Sequence, residues 1–262
     1  MSIPKIIHYC WFGNGKKNEL VERCIESWKK YCPDCEIVEW NETNYDVSKN
    51  LYMKQAYDAK RWGFVSDYAR LDIIFNYGGI YLDTDVEIVR SIDEIFAGQG
   101  FFGFEKPMIE NEGNYYVNTG QGFGAEPYNE LVLQMRNVYE KVSFCDSEGK
   151  ENLTTCPYYN TIVLEKFGLK KDNSLQNING LIIYPDDFFC PYNWKEKKMV
   201  ITDRTFAVHH FNASWLSEKV KRRSRIERYM DGIIHLPNRM LKVLLGEKKY
   251  EILKKKVKRV ER

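Results

Sequence analysis

The sequence predicts an α/β fold built around parallel strands. The chain has 262 residues, enough for one large domain with a sizeable core. Short apolar runs alternate with segments of helical periodicity, and the chain opens with a strand, a helix and a second strand. An opening of this length is typical of a βαβ unit, whose two strands are parallel and whose crossover is right-handed.

The elements of the first half of the chain are predicted from hydrophobic period. Apolar residues recur every three or four positions in a helix, and at alternate or consecutive positions in a strand. In chain order we expect a strand at 5–9, a helix at 18–31, a strand at 35–40, helices at 51–58 and 64–77, and strands at 80–82 and 86–89. Ser66 is the expected N-cap of the helix at 64–77, and Gly78 is expected to end it.

The second half of the chain is also predicted to contain strands and helices, and its last segment is rich in basic residues. In chain order we expect a strand at 101–104, a segment at 115–123, helices at 129–142 and 159–167, and strands at 180–184 and 205–211. The chain beyond is predicted to be helical and basic. We therefore expect a main domain at 1–216 and a basic helical extension at 217–262.

Composition limits the class of protein. Hydrophobic residues make up 44% of the chain and charged residues 29%, which fits a soluble globular protein. No leader and no apolar run of about 18 residues is apparent, so a cytoplasmic location is expected. Seven cysteines, an odd number, agree with reduced thiols. Cys32 and Cys35 have CxxC spacing, but a zinc site would require a second pair, and none is apparent.

Two carboxylates, Asp83 and Asp85, directly follow the predicted strand at 80–82. Ligands of open α/β sheets bind at the carboxyl ends of strands. Mg²⁺ and Mn²⁺ prefer oxygen ligands and often use one or two carboxylates together with substrate phosphates. A solvated acidic loop is the alternative for an isolated Asp-x-Asp, and the position after a buried strand favours the metal site.

Asp67 and Arg70 lie three residues apart and therefore share one face of the helix at 64–77. An aspartate accepts hydrogen bonds from sugar hydroxyls, and an arginine donates to hydroxyl or phosphate oxygens in a fixed fork. The alternative is a surface ion pair worth roughly 0.2–0.5 kcal/mol.

Together these motifs resemble glycosyltransferase family 32, a family of DXD-type sugar transferases. The resemblance rests on the segment 3–13 (IPKIIHYCWFG), on Ser66-Asp67-x-x-Arg70, and on Gly78-Gly79-Ile80-Tyr81-x-Asp83-x-Asp85, and it extends to about Trp215. It implies a GT-A fold, Rossmann-like, with a mixed, mostly parallel central sheet. It also implies a nucleotide-sugar donor and Mn²⁺ or Mg²⁺ as cofactor.

The resemblance assigns roles around the DXD motif. Asp85 would bind the metal directly, and Asp83 would be shared between the metal and the sugar. Asp67 and Arg70 would bind the donor sugar, and these four residues form the expected catalytic set.

The N-terminal motif and a central segment add expected donor contacts. His8 and Trp11 belong to the first motif, and Trp11 would stack on the nucleobase; core filling is the alternative for Trp11. Asn118 would border the sugar, with ordinary turn chemistry as its alternative. The segment 154–157 would also border the sugar and acceptor, although Cys156 stands where the family has glycine.

The segment 207–215 (AVHHFNASW) matches the C-terminal motif of the family. His209 is expected to complete the metal shell, because imidazole nitrogen is a good ligand for Mn²⁺. His210 would point the other way in an alternating strand. Ser214 and Trp215 would donate to the diphosphate.

The resemblance therefore implies a metal-dependent retaining glycosyltransferase of capsular-polysaccharide or lipopolysaccharide type. It would move a hexose, with UDP-sugars favoured, to a glycan or lipid-linked glycan. Two other classes stay open: a carbohydrate- or nucleotide-binding module without turnover, and a metal-dependent phosphotransferase or hydrolase.

The C-terminal extension carries a strong positive charge. Residues 219–262 contain 16 Lys and Arg against 5 Asp and Glu. A basic region with scattered apolar residues suits peripheral contact with an anionic membrane. A solvated terminus is the alternative. A nucleic-acid role is not expected, since no base-reading motif accompanies the charge.

Overall fold

The computed structural model describes residues 2–106, 114–193 and 198–211. They belong to one compact unit that spans Met1–Asn212. The predicted boundary at 216/217 and the basic extension lie outside the described residues. Among the helices of the described part, none is long and apolar enough to cross a bilayer.

The unit opens with a strand, a helix and a second strand, and after that single helices or pairs of helices separate groups of strands. The helices are α1 (Glu19–Tyr31), α2 (Leu51–Asp58), α3 (Trp62–Tyr77), α4 (Glu130–Val138), α5 (Cys156–Glu165) and α6 (Asp186–Phe189). The strands are β1 (Ile6–Cys10), β2 (Glu36–Trp40), β3 (Gly79–Tyr81), β4 (Val86–Ile88), β5 (Gly100–Glu105), β6 (Tyr116–Val117), β7 (Phe123–Ala125), β8 (Gln176–Ile178), β9 (Leu181–Tyr184), β10 (Tyr192–Asn193), β11 (Lys198–Met199) and β12 (Ala207–His209). A short 3₁₀ turn covers Asp93–Ala97.

The central sheet has the order β2-β1-β3-β7-β5-β9-β8, with β6 paired to β5. Strand β1 is parallel to β2 and β3, and β9 is parallel to β5. Because β7 is antiparallel to both β3 and β5, the strands β2, β1, β3, β5 and β9 share one direction. This architecture confirms the predicted α/β class and the mixed sheet in which most strands share a direction. It also brings the carboxyl ends of β1, β3 and β5 to one edge, where ligands of such sheets bind.

Helix α3 lies inside the unit. Every residue from Phe64 to Ile74 is buried, whereas a surface helix exposes one side. The helix packs on α2 and α4 and on the sheet. Its charged residues are therefore held inside the protein and need internal partners.

The start of α3 differs from the prediction. The helix begins at Trp62, two residues before the predicted start, and Ser66 is not its cap. The Ser66 hydroxyl instead donates to the Trp62 carbonyl at 3.1 Å, a bond within the helix. The error arose because serine bonds equally well to a carbonyl one turn back as to the amides of a first turn.

A second, two-stranded sheet pairs the segment that follows Asp85 with a strand late in the chain. Strand β12 is antiparallel to β4, and His209 lies opposite Val86. Trp28 of α1 is fully buried beneath this pair and donates from Nε1 to the Val86 carbonyl at 2.8 Å. The pairing fixes residues 207–209 beside the end of the Asp-x-Asp segment.

Candidate active site

Asp83 leaves the end of β3 with its side chain already held. Its Oδ1 accepts a hydrogen bond from the Tyr81 hydroxyl at 2.9 Å and lies 3.3 Å from Arg70 Nη2. Its backbone N–H donates to the Gly120 carbonyl at 3.0 Å. The carboxylate therefore has a fixed orientation, and its second oxygen, Oδ2, is directed at the Cα of Gly120.

Asp67 and Arg70 form a buried pair and not a surface ion pair. Arg70 Nη2 lies 3.0 Å from Asp67 Oδ1, and Arg70 Nε donates to the Ser66 carbonyl at 3.0 Å. The guanidinium lies over the Tyr81 ring, 5.0 Å from its centroid. Burial raises the pKa of Asp67 to about 6, although the nearby Arg70 opposes the shift. One arginine thus joins Asp67 on α3 to Asp83 after β3.

Asp83, Asp85 and His209 form a group with the composition of a metal site. One ligand atom from each residue lies within 4.8 Å of the others, and His209 Nε2 is 3.4 Å from Asp85 Oδ1. His209 Nδ1 is buried and has no hydrogen-bond partner among the described residues. Burial alone would lower the pKa of His209, but Asp85, Asp83 and Glu105 together raise it to about 9. The surplus of negative charge and the closeness of the imidazole to the carboxylates fit a divalent cation bound by two carboxylates and one imidazole.

His210 lies on the other side of β12. Its Nε2 is 2.8 Å from Glu87 Oε2 and 3.5 Å from Arg23 Nη2. Its backbone N–H donates to the Asp85 carbonyl at 3.0 Å. The structure therefore groups His209, and not His210, with the DXD carboxylates, as the alternation of a strand predicts.

Asn118 and Gly120 form the wall opposite Arg70. The Asn118 Oδ1 accepts from the Gly120 backbone N–H at 2.7 Å, and its Nδ2 donates to Glu105 Oε2. The Cys156 thiol, at the start of α5, lies 3.6 Å from Asn118 Oδ1 and 3.7 Å from Arg70 Nη1. The predicted donor residue Asn118 is therefore in the same cluster as Arg70 and Asp83.

The two N-terminal candidates differ in their placement. Trp11 follows β1 at the catalytic edge of the sheet; its Nε1 donates to the Gly15 carbonyl at 2.7 Å, and Lys17 Nζ lies 5.7 Å from its ring centroid. Trp11 is partly exposed, as a stacking residue must be.

His8 lies inside the protein, away from solvent. Its side chain is buried, its Nε2 bonds the Gly78 carbonyl at 3.0 Å, and its Nδ1 accepts from Trp40 Nε1 at 3.0 Å. Both ring nitrogens are therefore occupied within the protein. His8 links β1 to β2 and to the turn before β3, and its contact with the donor stays a prediction.

Three residues of the cluster were not among the predicted site residues. Tyr81 was known only as part of the motif, Cys156 only as a departure from the family pattern, and Glu105 not at all. Glu105 ends an apolar strand, and the sequence gives no local sign that Asn118 would reach it. The remaining candidates, Ser214 and Trp215, lie outside the described residues.

Comparisons with known proteins cover part of the chain. Residues 18–102 match the family described as "Glycosyltransferase sugar-binding region containing DXD motif". Over these residues the chain is similar to the DXD sugar-binding region of glycosyltransferases. That region includes α3, β3 and all four residues of the expected catalytic set, so the resemblance found in the sequence is confirmed. Asn118, Cys156 and His209 lie beyond the matched residues.

Individual relatives agree with this assignment. Inositol phosphoceramide mannosyltransferase 3 of Schizosaccharomyces pombe is 34% identical over 105 residues, which cover 36% of this chain and 27% of that protein. Human alpha-1,4-N-acetylglucosaminyltransferase is 29% identical over 128 residues, 44% of this chain and 34% of that protein. The chain thus spans about a third or less of these two relatives. Among solved structures, PaToxG glycosyltransferase covers 63% of this chain, and this chain covers 70% of it, with a TM-score of 0.48 and 17% identity.

Proposed function

We propose that this chain is a metal-dependent, retaining glycosyltransferase of the GT-A type. It would transfer a hexose from a nucleotide-diphosphate sugar, with UDP-sugars favoured, to a glycan acceptor. The observation that carries the proposal is the meeting of the DXD carboxylates, an imidazole and the buried Asp67–Arg70 pair at the carboxyl edge of the sheet.

Different side chains would bind different parts of the donor and its cation. Asp83, Asp85 and His209 would hold Mn²⁺ or Mg²⁺, with Mn²⁺ favoured by the imidazole. The cation, when bound, would neutralise charge that builds on the leaving diphosphate. Arg70 holds Asp67 and Asp83 in fixed positions, so that both can accept hydrogen bonds from sugar hydroxyls. Trp11 would stack on the nucleobase.

The stereochemical part of the proposal rests on the family resemblance. In a retaining transfer the acceptor hydroxyl would attack from the face that the nucleotide leaves, and the leaving phosphate would take the hydroxyl proton. The C1–phosphate bond then breaks as the new C1–oxygen bond forms, and the nucleotide keeps the electron pair. Trapping of a glycosyl adduct on a protein side chain would refute this route.

The proposal also covers the acceptor and the cellular location of the protein. We propose a glycan or lipid-linked glycan of polysaccharide biosynthesis as the acceptor, and peripheral contact of the basic segment 217–262 with an anionic membrane in the cytoplasm. The charge of that segment supports the contact. Binding to vesicles of phosphatidylglycerol that is lost when residues 217–262 are removed would support it.

The first experiment asks whether the protein turns over a donor. Nucleotide release from UDP-glucose, UDP-galactose, UDP-N-acetylglucosamine and GDP-mannose is measured with Mn²⁺, with and without EDTA. We expect release from at least one donor and its loss in EDTA. Tight donor binding with no release from any donor would favour a binding module instead.

The matched variant is Asp85→Ala, with the exposed Asp34→Ala as control. We expect Asp85→Ala to lose at least about 100-fold in activity with an unchanged melting temperature, because a removed charge-stabilising group commonly costs that much. Asp34→Ala should be as active as the wild type. Full activity in Asp85→Ala would refute the metal site.

A further inference from the structure

Glu105 occupies a position that the sequence analysis did not assign. It is the last residue of β5, and β5 shares its direction with β1 and β3. Its side chain therefore starts at the same edge of the sheet as Trp11 after β1 and Asp83 after β3.

One oxygen of the Glu105 carboxylate is fixed from within the protein. Asn118 Nδ2 donates to Oε2, and Asn118 Oδ1 accepts from the Gly120 backbone N–H. Gly120 in turn abuts the Asp83 carboxylate. Glu105 is thus connected through Asn118 to the residues that surround Asp83.

The other oxygen, Oε1, has no donor among the described residues. It is also not one of the buried unpartnered atoms of this part of the structure, so solvent reaches it. The residue as a whole is only partly exposed. A carboxylate with one oxygen held by the protein and one oxygen without a donor among the described residues is arranged to accept a hydrogen bond from a ligand.

Glu105 lies near the candidate metal group as well as near Asn118. The carboxylate is one of the groups that raise the pKa of His209. Burial raises the pKa of Glu105, against the opposing effects of His209 and Asn118. Together with the bond to Asn118, this interaction places Glu105 in the same cluster as Asp83 and His209.

We propose that Glu105 is a donor-binding residue, and that its Oε1 accepts a hydrogen bond from a hydroxyl group of the donor sugar. The proposal rests on the proposed glycosyltransferase function and extends its sugar site beyond Asp67, Arg70 and Asp83. Such a contact selects between sugars, because a site built to bond a hydroxyl rejects a sugar that lacks it.

The test variant is Glu105→Gln, whose amide oxygen can still accept from Asn118. Donor hydrolysis is followed by nucleotide release with Mn²⁺, using the donor that the wild type hydrolyses fastest. We expect KM for that donor to rise about tenfold or more with the melting temperature unchanged, because an amide NH₂ cannot accept the hydroxyl proton. Glu105→Asp keeps the charge on a shorter side chain and should fall between the two.

A structural role is separated from a binding role by the donor itself. Mono-deoxy analogues of the same nucleotide sugar are compared in both proteins. The wild type should discriminate against one analogue, and Glu105→Gln should lose most of that discrimination, since the partner of the missing hydroxyl is gone. Affinity for UDP, which lacks the transferred hexose, should be the same in both proteins.

The control variant is Glu165→Gln, which removes a carboxylate paired with Lys171 at the far end of α5. It should leave KM unchanged. Equal donor KM and equal analogue discrimination in Glu105→Gln and wild type would overturn the role of Glu105 alone. A wild type that hydrolyses no donor would refute the proposed function instead.

Discussion

Gly120 is a residue whose lack of a side chain shapes the site. A Cβ at this position would overlap Asp83 Oδ2 and would lie 3.0 Å from Arg70 Nη1 and 3.1 Å from Asn118 Oδ1. All three are polar atoms of the candidate donor site, and Arg70 is buried with little room to move. The close approach of backbone to carboxylate therefore requires glycine.

We expect Gly120→Ala to lose at least about tenfold in donor hydrolysis and to cost about 1–3 kcal/mol in free energy of unfolding, as overpacking does. Nucleotide release and urea unfolding measure the two effects. Gly98→Ala is the control, because its nearest atom would lie 3.8 Å from the new Cβ. A fully active Gly120→Ala would show that Asp83 does not need this close packing.

Residues also show where reasoning from the sequence succeeds. The spacing of Asp67 and Arg70 is local, so the helix alone brings them together, and the structure pairs them as predicted. The hydrogen bonds of His8, in contrast, are made with Gly78 and Trp40, which are distant in sequence. The place of Glu105 in the cluster was not predictable for the same reason, because its bond to Asn118 comes from tertiary packing. Short-range geometry was predictable, and long-range partners were not.

At the scale of elements, the last residue of strand β12, His209, and the residue that follows the strand, His210, have different surroundings. His209 faces Asp83 and Asp85, and His210 faces Glu87 and Arg23. We expect His209→Ala to need at least about tenfold more Mn²⁺ for half-maximal donor hydrolysis, because one of three ligands is lost. His210→Ala should leave the Mn²⁺ requirement unchanged. The opposite result in a manganese titration would assign the metal to His210.

Among the helices that begin with an asparagine cap, α1 and α2 have caps that differ in the number of bonds they make. Asn18 accepts from the Val21 backbone N–H at 3.1 Å and begins α1. Asn50 accepts from Met53 N–H at 3.0 Å and also donates to the Tyr139 carbonyl at 3.1 Å, while almost fully buried. Asn50 therefore caps α2 and ties it to the end of α4.

We expect Asn18→Ala to cost about 1 kcal/mol in free energy of unfolding, as loss of a cap does. Asn50→Ala should cost about 2–3 kcal/mol, because it also leaves the buried Tyr139 carbonyl unpaired. Urea unfolding of the two variants measures the difference. Equal losses would mean that the bond to Tyr139 contributes nothing.

At the scale of the whole molecule, burial of the Asp67 carboxylate lowers the stability of the folded protein at neutral pH. Burial raises the pKa of Asp67 from 3.8 to about 6, so the folded protein binds this proton more tightly than the unfolded chain does. A group with a raised pKa lowers stability when it is ionised, and stability is regained as the pH falls from about 6 toward 4. The shift of roughly two units corresponds to about 3 kcal/mol.

We therefore expect Asp67→Asn to be more stable relative to the wild type at pH 7.5 than at pH 5, by about 1.4 kcal/mol, because about half of the effect is still present at pH 5. Thermal or urea unfolding in EDTA at the two pH values tests this. The exposed Asp34→Asn is the control and should show no such change with pH. The same Asp67→Asn variant should lose donor hydrolysis. A stability difference that does not depend on pH would contradict the buried, ionised state of Asp67.

At this scale the fold class was predictable, because hydrophobic period marks strands and helices along the chain. Strand order in the middle of the sheet was not. Strand β7 enters between β3 and β5, and this insertion sets Asn118 and Gly120 against Asp83. Nothing in the short segment Phe123–Ala125 specifies which neighbours it will have. The candidate site was thus predictable as a set of motifs, while the contact between Asn118 and Glu105 was not.

The pairing of β12 with β4 has a consequence for the order in which the protein is made. Asp83 and Asp85 emerge from the ribosome long before His209, which must pair opposite Val86 to reach them. A nascent chain that has reached only residue 200 can have formed β1 to β3 and still lacks the imidazole of the candidate metal group. Completion of this candidate group is therefore a late event in synthesis, and a chain truncated before residue 207 would retain the DXD carboxylates without the imidazole.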